Sequence, residues 1–501
     1  MNGRETLSRA ALVAGSAFAL GLAFPRTDWD GVAWIALVPL LVLVLGRPWR
    51  AAALWGWFFG TLHFAVLLRW LNFTFQTYSA IPWPLTYGPP LLLSAYCGLY
   101  PALVAGSVAW LAARRSAAWG VAAAPFLWVA GEWLRAHLMG GFPWGTLGYS
   151  QYLRLPVIQI AEIGGVHAVS FLIVAVNAAL AGALVLSWRK ALSGLGLAGA
   201  LVGATLWFGT ARLHEPLEPP EISVAIVQPS IDQPLKFDPN HARETLAIAF
   251  ALTRQAAATR PALIVWPETA TPSLLRRDRE LTAALAALAR QAQAPLLVGS
   301  LDATDAAPPR LRNSAFLVTE RGLASRYDKM HLVPFGEYVP LAGLIGFVRG
   351  WAEFIADLEP GARAAVFPGP PAPFGVVICY EGIFPDLVRE FVRNGARLMV
   401  NITNDAWFGR TSGPEQHLAM YPFRAVEHRV AVVRAANTGV SAFIAPTGQI
   451  VRRTRLYERG VAVDRVRLRV GRTLYGRLGD WPAWLGLAVS GAALGAAGRR
   501  R

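Results

Sequence analysis

Residues 375–384 read GVVICYEGIF. Val376, Val377 and Ile378 are β-branched and suit a strand. The continuation, Phe384-Pro385-Asp386-Leu387-Val388-Arg389-Glu390-Phe391, has helical apolar spacing behind a proline. Cys379 therefore stands at a strand-to-helix turn. A side chain there is exposed at a sheet edge, near a helix N-terminus whose positive end lowers a thiol pKa. The G-x-S-x-G serine elbow uses the same geometry. Free cysteines are also among the most buried residues, so Cys379 is either a nucleophile or a small core hydrophobe.

Similar runs surround this stretch. Residues 222–231, 261–270, 294–303, 313–322, 396–408, 432–446 and 448–456 are short, β-branched and bounded by turn residues. Helical patterns at 244–259 and 279–293 lie between some of them. Alternating strands and helices predict α/β packing around one or two sheets over a block spanning 214–480.

Outside that block the chain changes character. Overall, 54% of residues are apolar and 16% charged, against about 25% charged in ordinary soluble domains. A membrane span takes roughly 20 apolar residues. Candidates lie at 10–25, 31–46, 51–73, 84–112, 120–138, 164–187, 191–213 and 482–498. The expectation is eight spans: seven in an N-terminal bundle, 1–213, and one in a C-terminal helix with a basic tail, 481–501. Arg4 and Arg9, Arg47 and Arg50, Arg114 and Arg115, Arg189 and Lys190, and Arg499 to Arg501 then fall on one side. By the positive-inside bias that side is the cytoplasm, which puts 214–480 outside.

The net charge of +16 is carried almost wholly by arginine; the only lysines are Lys190, Lys236 and Lys329. The arginines are scattered, with no basic helix or basic–aromatic ladder, which argues against nucleic-acid binding. Cys97 and Cys379 lie in different parts of the chain, and no disulfide is expected. There is no glycine-rich phosphate loop and no CxxC. His417 and His428 lack ligand spacing, so neither metal nor nucleotide cofactor is expected.

Two further residues could join Cys379. Glu268, in WPETA, falls just after a predicted strand, where burial would raise its pKa toward the working range of a general base; a helix-start carboxylate is the ordinary alternative. Lys329, in YDKMHLV, sits among apolar residues, and a compact ammonium suits an oxyanion. Glu132 lies inside an apolar helix and is either functional or paired with Arg135 or Arg69. The aromatic loop 139–152, with Trp144, is either an interfacial belt or the lining of a lipid-facing site. The apolar stretch 344–355 could be a lid or part of the core.

The order WPET, DKMHLVPFGEYVP, CYEGIFP, NDAWFG, RAVEHRVAVVRAANTG resembles the nitrilase superfamily. With the preceding spans, the GFPWGTLGYSQ loop and the GDWP return to a final span, the whole chain resembles the apolipoprotein N-acyltransferase family. That resemblance implies an αββα sandwich on a membrane bundle in a bacterial inner membrane. It matches Glu268, Lys329 and Cys379 to a catalytic triad, and Glu337, Tyr380 and Glu381 to supporting positions. Trp144 and Trp407 become candidate substrate contacts, as does Phe237, where the family commonly has tryptophan. The implied donor is a glycerophospholipid such as phosphatidylethanolamine, and the implied acceptor a diacylglyceryl-modified apolipoprotein. A lipid hydrolase with the same triad and a transporter with an external ligand domain are the rival readings.

Overall fold

The computed structural model describes residues 3–216, 220–236, 238–340, 343, 346, 357–369, 372–469 and 471–499. Phe237 lies outside them, as does the 344–355 stretch apart from Gly346. The chain forms two compact units: residues 1–72, 83–215 and 477–501 in one, and 73–82 with 216–476 in the other.

The first unit is helical. Leu85–Arg114, Ala161–Val185 and Trp188–His214 are long and apolar enough to cross a membrane; a fourth candidate is Trp49–Leu67 taken together with the broken-off helix Leu71–Tyr78. The expected span at 31–46 is instead a short 3-10 turn, Asp30–Trp34, and an eight-residue helix, Val38–Leu45, closed by Gly46. Eight residues rise only about 12 Å, well short of a hydrocarbon core of about 30 Å. Among the described residues, three helices, or four, have the length and composition of a crossing, where eight spans were expected. Helices Trp49–Leu67 and Gly88–Arg114 approach so closely at Gly60 that a Cβ there would lie 2.8 Å from the Gly98 Cα. Small residues at such a crossing let two backbones meet where apolar packing alone gives little direction.

The loop after helix Ala117–His137 is held by that helix's own charges. Arg135 donates to the carbonyls of Phe142 (2.6 Å) and Trp144 (2.5 Å). Glu132 accepts from the Leu147 N–H (2.7 Å) and from Trp128 Nε1 (3.0 Å). Of the two readings of Glu132, the pairing with Arg135 or Arg69 gives way to bonds to a backbone amide and an indole, with His167 Nδ1 3.9 Å from its other oxygen. A carboxylate and a guanidinium satisfy main-chain groups that an apolar interior would otherwise leave bare. Trp144, 2% exposed, packs its ring 5.0 Å from that of Trp70. Its position is that of a loop anchor rather than of a ring on a surface.

The second unit carries two sheets. Its strands are β1 Glu221–Gln228, β2 Leu263–Val265, β3 Leu296–Ala303, β4 Leu311–Thr319, β5 Gly322–Asp328, β6 Phe374–Ile378, β7 Leu398–Thr403, β8 Val432–Ala436, β9 Ala442–Ile444, β10 Ile450–Arg453 and β11 Gly460–Arg467. One sheet has the order β11-β1-β2-β3-β4-β5 and the other β10-β9-β8-β7-β6. Pairs β1–β2, β2–β3, β6–β7 and β7–β8 are parallel, and the rest antiparallel. Helices Ala242–Ala257 and Arg279–Ala292 cover the first sheet. Pro385–Arg393 and Tyr421–His428 pack on the second. Parallel strands covered by helices read as continuous apolar runs. That is why β2, β6 and β7 are buried at every position.

Candidate functional site

Glu268, Lys329 and Cys379 each follow the C-terminal end of a strand, β2, β5 and β6 respectively. Ligand sites of open α/β sheets form outside such strand ends. Asn404 follows β7 in the same way.

The centre is a buried ion group. Lys329, 1% exposed, places its Nζ 2.8 Å from Glu337 Oε1 and 3.6 Å from Glu268 Oε1. Burial works against the ammonium, but Glu337 and Glu268 outweigh it and hold the Lys329 pKa well above its usual value. Asn313, on β4, donates to Glu268 Oε1 (2.7 Å) and to Glu337 Oε1 (3.3 Å). The main-chain N–H of Asn404 donates to Glu268 Oε2 (2.8 Å), and that of Val333 to Glu337 Oε2 (2.8 Å). Each carboxylate is thus fixed at both oxygens.

Gly299 of β3 lies beneath Glu268. A Cβ there would sit 2.4 Å from the Pro267 carbonyl oxygen and 2.7 Å from the Glu268 Cα. A glycine inside a strand marks such a close approach of another backbone. Gly299→Ala is expected to displace residues 267–269 and to lower turnover by about 10²-fold, the scale of a roughly 1 Å misplacement. Initial rates of purified variant and parent, compared at equal folded protein, check this.

Cys379 adopts φ +53°, the left-handed region that non-glycine residues rarely enter. Two side chains hold its carbonyl there: Tyr421 Oη donates at 3.1 Å and Asn401 Nδ2 at 3.4 Å. Behind them lies a charged core. Arg434 donates to Asn401 Oδ1 (2.5 Å) and Asp405 Oδ2 (2.6 Å). Burial would raise the Asp405 pKa, yet Arg434 and His417 bring it down to about 2.

The thiol corrects one expectation. Burial pushes the Cys379 pKa far up, the Glu268 charge adds to this, and Lys329 only opposes it. The physical reason is local. The strand runs into a five-residue 3-10 turn, Cys379–Ile383, and helix Pro385–Arg393 starts only afterwards. The expected helix N-terminus is therefore set apart from Cys379 by that turn, and at 9% exposure the residue sees little water. Such a thiol needs a base to ionise it.

Among the supporting positions, Glu381 is fully buried and accepts from four donors. Tyr327 Oη (2.7 Å) and the main-chain N–H groups of Met330 (2.6 Å) and His331 (3.0 Å) reach one oxygen, and that of Ile378 (2.7 Å) the other. Burial pushes its pKa up to about 7, against these donors and Lys329. It ties the loop carrying Lys329 to the turn carrying Cys379. Tyr380 is buried, with its ring 5.1 Å from Phe384 and 6.0 Å from His331. Trp407 is half-buried; its ring meets Tyr78 edge-on at 4.9 Å, and its carbonyl accepts from Thr74 Oγ1 (2.8 Å). The second unit so includes a segment, 73–82, that begins where the expected span 51–73 ends.

Sequence reading missed Asn313, Asn404, Asn401, Tyr421 and Lys236. Only the last had a signal: it is one of three lysines among 47 basic residues.

Comparison with known proteins now adds to this geometry. Residues 16–179 match the family model of the apolipoprotein N-acyltransferase N-terminal domain, and residues 223–474 that of carbon–nitrogen hydrolases. An apolipoprotein N-acyltransferase of Geobacter metallireducens is 42% identical over 95% of this chain and 92% of its own length. One of Gloeobacter violaceus is 34% identical over 99% of this chain and 96% of its own. Among solved structures, Saccharomyces cerevisiae Nit3 of the nitrilase superfamily aligns with 50% of this chain and 92% of its own, at 21% identity and a TM-score of 0.39.

Proposed function

The chain belongs to the apolipoprotein N-acyltransferase family, and from that premise we propose that it moves a fatty acyl chain from a glycerophospholipid to a lipoprotein amine through a thioester on Cys379. It is a membrane protein and an acyltransferase of lipoprotein biosynthesis. The acceptor is the α-amino group of an N-terminal diacylglyceryl-cysteine, and the donor class includes phosphatidylethanolamine. The observation that supports the reading most is the buried approach of Lys329 to Glu268 at 3.6 Å, with the Cys379 thiol inside the electrostatic reach of both.

The steps follow from those groups. Glu268 takes the thiol proton as Cys379 Sγ attacks the ester carbonyl. The oxyanion is stabilised by the Lys329 ammonium and the Tyr380 main-chain N–H. As it collapses, the ester C–O bond breaks and Glu268 protonates the departing lysophospholipid alkoxide. The neutral acceptor amine then attacks the thioester. Glu268 takes a proton from that nitrogen, the C–S bond breaks, and the proton passes to the released sulfur. Ester, thioester and amide succeed one another without ATP, because the amide is the most stable of the three. Two half-reactions at one nucleophile give ping-pong kinetics. Glu337 holds Lys329, and Glu381 holds the two loops together.

The proposed setting is a bacterial inner membrane, with both termini cytoplasmic and residues 214–480 periplasmic. The clusters of arginine at both ends of the chain support that orientation.

Intact-protein mass spectrometry on detergent-purified enzyme given phospholipid tests the reading. The expected result is one acyl group on Cys379, labile to hydroxylamine and passed to a diacylglyceryl-cysteine peptide on its addition. An adduct that goes only to water makes the protein a lipid hydrolase. No adduct, with Cys379→Ala behaving like the parent, overturns the assignment.

A further inference from the structure

Among the buried cations to which the steps above give no part, one lies beside the proposed base. Lys236 is 4% exposed. Its Nζ donates to the Glu268 main-chain oxygen (2.8 Å) and to Thr269 Oγ1 (2.6 Å). Thr269 has φ +43°, an unusual conformation for a β-branched residue. The same short helix, Gln233–Lys236, has a second arm. Gln233 Oε1 accepts from Asn404 Nδ2 (2.6 Å), and the Asn404 main-chain N–H donates to Glu268 Oε2 (2.8 Å). Asn437 braces this arm, donating to Asn404 Oδ1 (3.0 Å) and exchanging bonds with the Ile231 main chain (2.9 and 2.7 Å). One arm therefore holds the backbone that carries the carboxylate, and the other holds the carboxylate itself.

A neutral amide could donate to a carbonyl and a hydroxyl equally well. A buried ammonium is the costlier donor. Burial brings the Lys236 pKa down to about 8, with Glu268 and Cys379 opposing that shift. What an ammonium adds is charge. Among the described residues, the charged and titratable groups around Glu268 include Lys329, Lys236 and the Cys379 thiol, with Glu337 and Glu381 beyond Lys329 and Asp405 beyond Cys379.

We infer that Lys236 and Gln233 are positioning residues for the general base: Gln233 orients the Glu268 carboxylate through Asn404, and Lys236 fixes its backbone while its charge favours the ionised carboxylate. This rests on reading Glu268 as the base. Below about pH 8 Lys236 is cationic. Removing that charge withdraws a cation from the carboxylate, so the acid limb of the rate profile must move to higher pH.

The test is single-turnover acylation of Cys379 by phospholipid, followed by intact mass from pH 4 to pH 8. The parent, K236M, K236R, Q233L and E268Q are compared. K236M is expected to acylate about tenfold more slowly on the plateau, with its acid limb raised by about one pH unit. Its half-saturating phospholipid concentration should stay within about twofold, because the interaction is with the base and not the lipid. K236R keeps the charge and so the limb. Q233L, which also leaves the charge in place, is expected to slow acylation about fivefold with no movement of the limb. A K236M limb that superimposes on the parent overturns the inference. If K236M does not fold, a Q233L plateau equal to the parent's overturns it. Full acylation by E268Q overturns the reading of the base, and this inference with it.

Discussion

Cys379→Ala is expected to yield a folded protein that forms no acyl adduct and loses at least about 10⁴-fold in transfer, the scale seen when a nucleophile is removed from a triad. Stability should change little. The substitution deletes one buried sulfur, and the carbonyl of residue 379 keeps its bonds from Tyr421 and Asn401. The raised thiol pKa extends the prediction to its partner. Since burial and the Glu268 charge keep the thiol protonated, Glu268→Gln should fall nearly as far, and the double variant should fall no further than either alone. Groups that act as one unit behave non-additively in this way. Intact mass after incubation with phospholipid, together with peptide acylation rates, measures all three variants. A Glu268→Gln enzyme that acylates at the parent rate would show that the thiol ionises without a carboxylate.

Lys329→Met should carry the largest stability cost. It leaves the Glu337 and Glu268 carboxylates beside the space once filled by an ammonium 2.8 Å from the first and 3.6 Å from the second. Breaking a buried ion pair by removing one partner costs about 3–5 kcal/mol. Turnover should fall at least about 10³-fold with the loss of the oxyanion's cation. Adding Glu337→Gln removes the surplus negative charge. The double variant should therefore recover most of the lost stability and none of the activity. Lys329→Arg should not rescue, because a planar fork replaces a point charge in a site with the side chain 1% exposed. Denaturation midpoints read one effect and acylation rates the other. A double variant that regains both would assign Lys329 a purely structural task.

The pattern of these predictions reflects what the residues show at different levels. Val376, Val377 and Ile378 ahead of Cys379 are legible as a strand because β-branched runs suit a buried pleated surface, and β6 forms there. Glu268 stood out through its position after such a run, and Lys329 as one of three lysines, set among apolar residues. Val38–Leu45 was misjudged for a related reason. Its apolar composition is that of a span, but composition does not measure where Pro39 and Gly46 bound the helix. The helix-dipole argument for a lowered thiol pKa failed because a local pattern cannot show that a 3-10 turn intervenes, or how much water reaches the sulfur.

The partners of the site were beyond the sequence altogether. Asn404 reaches Glu268 across 136 residues and Asn313 across 45. Ile231 and Asn437 meet across 206. No periodicity carries such information, since each contact depends on how two sheets and their loops close on one another. The sequence alone determined the split between an apolar helical part and an α/β part, the strand ends that bear the reactive groups, and the family. Those are properties of composition and short-range order, which act before the chain is compact. The tertiary structure decided which groups fix Glu268, the burial of the Cys379 thiol, and the bonding of Glu132 and Arg135 to a loop. Those are set by burial and by contacts between distant segments, and they come into being only when the fold is complete.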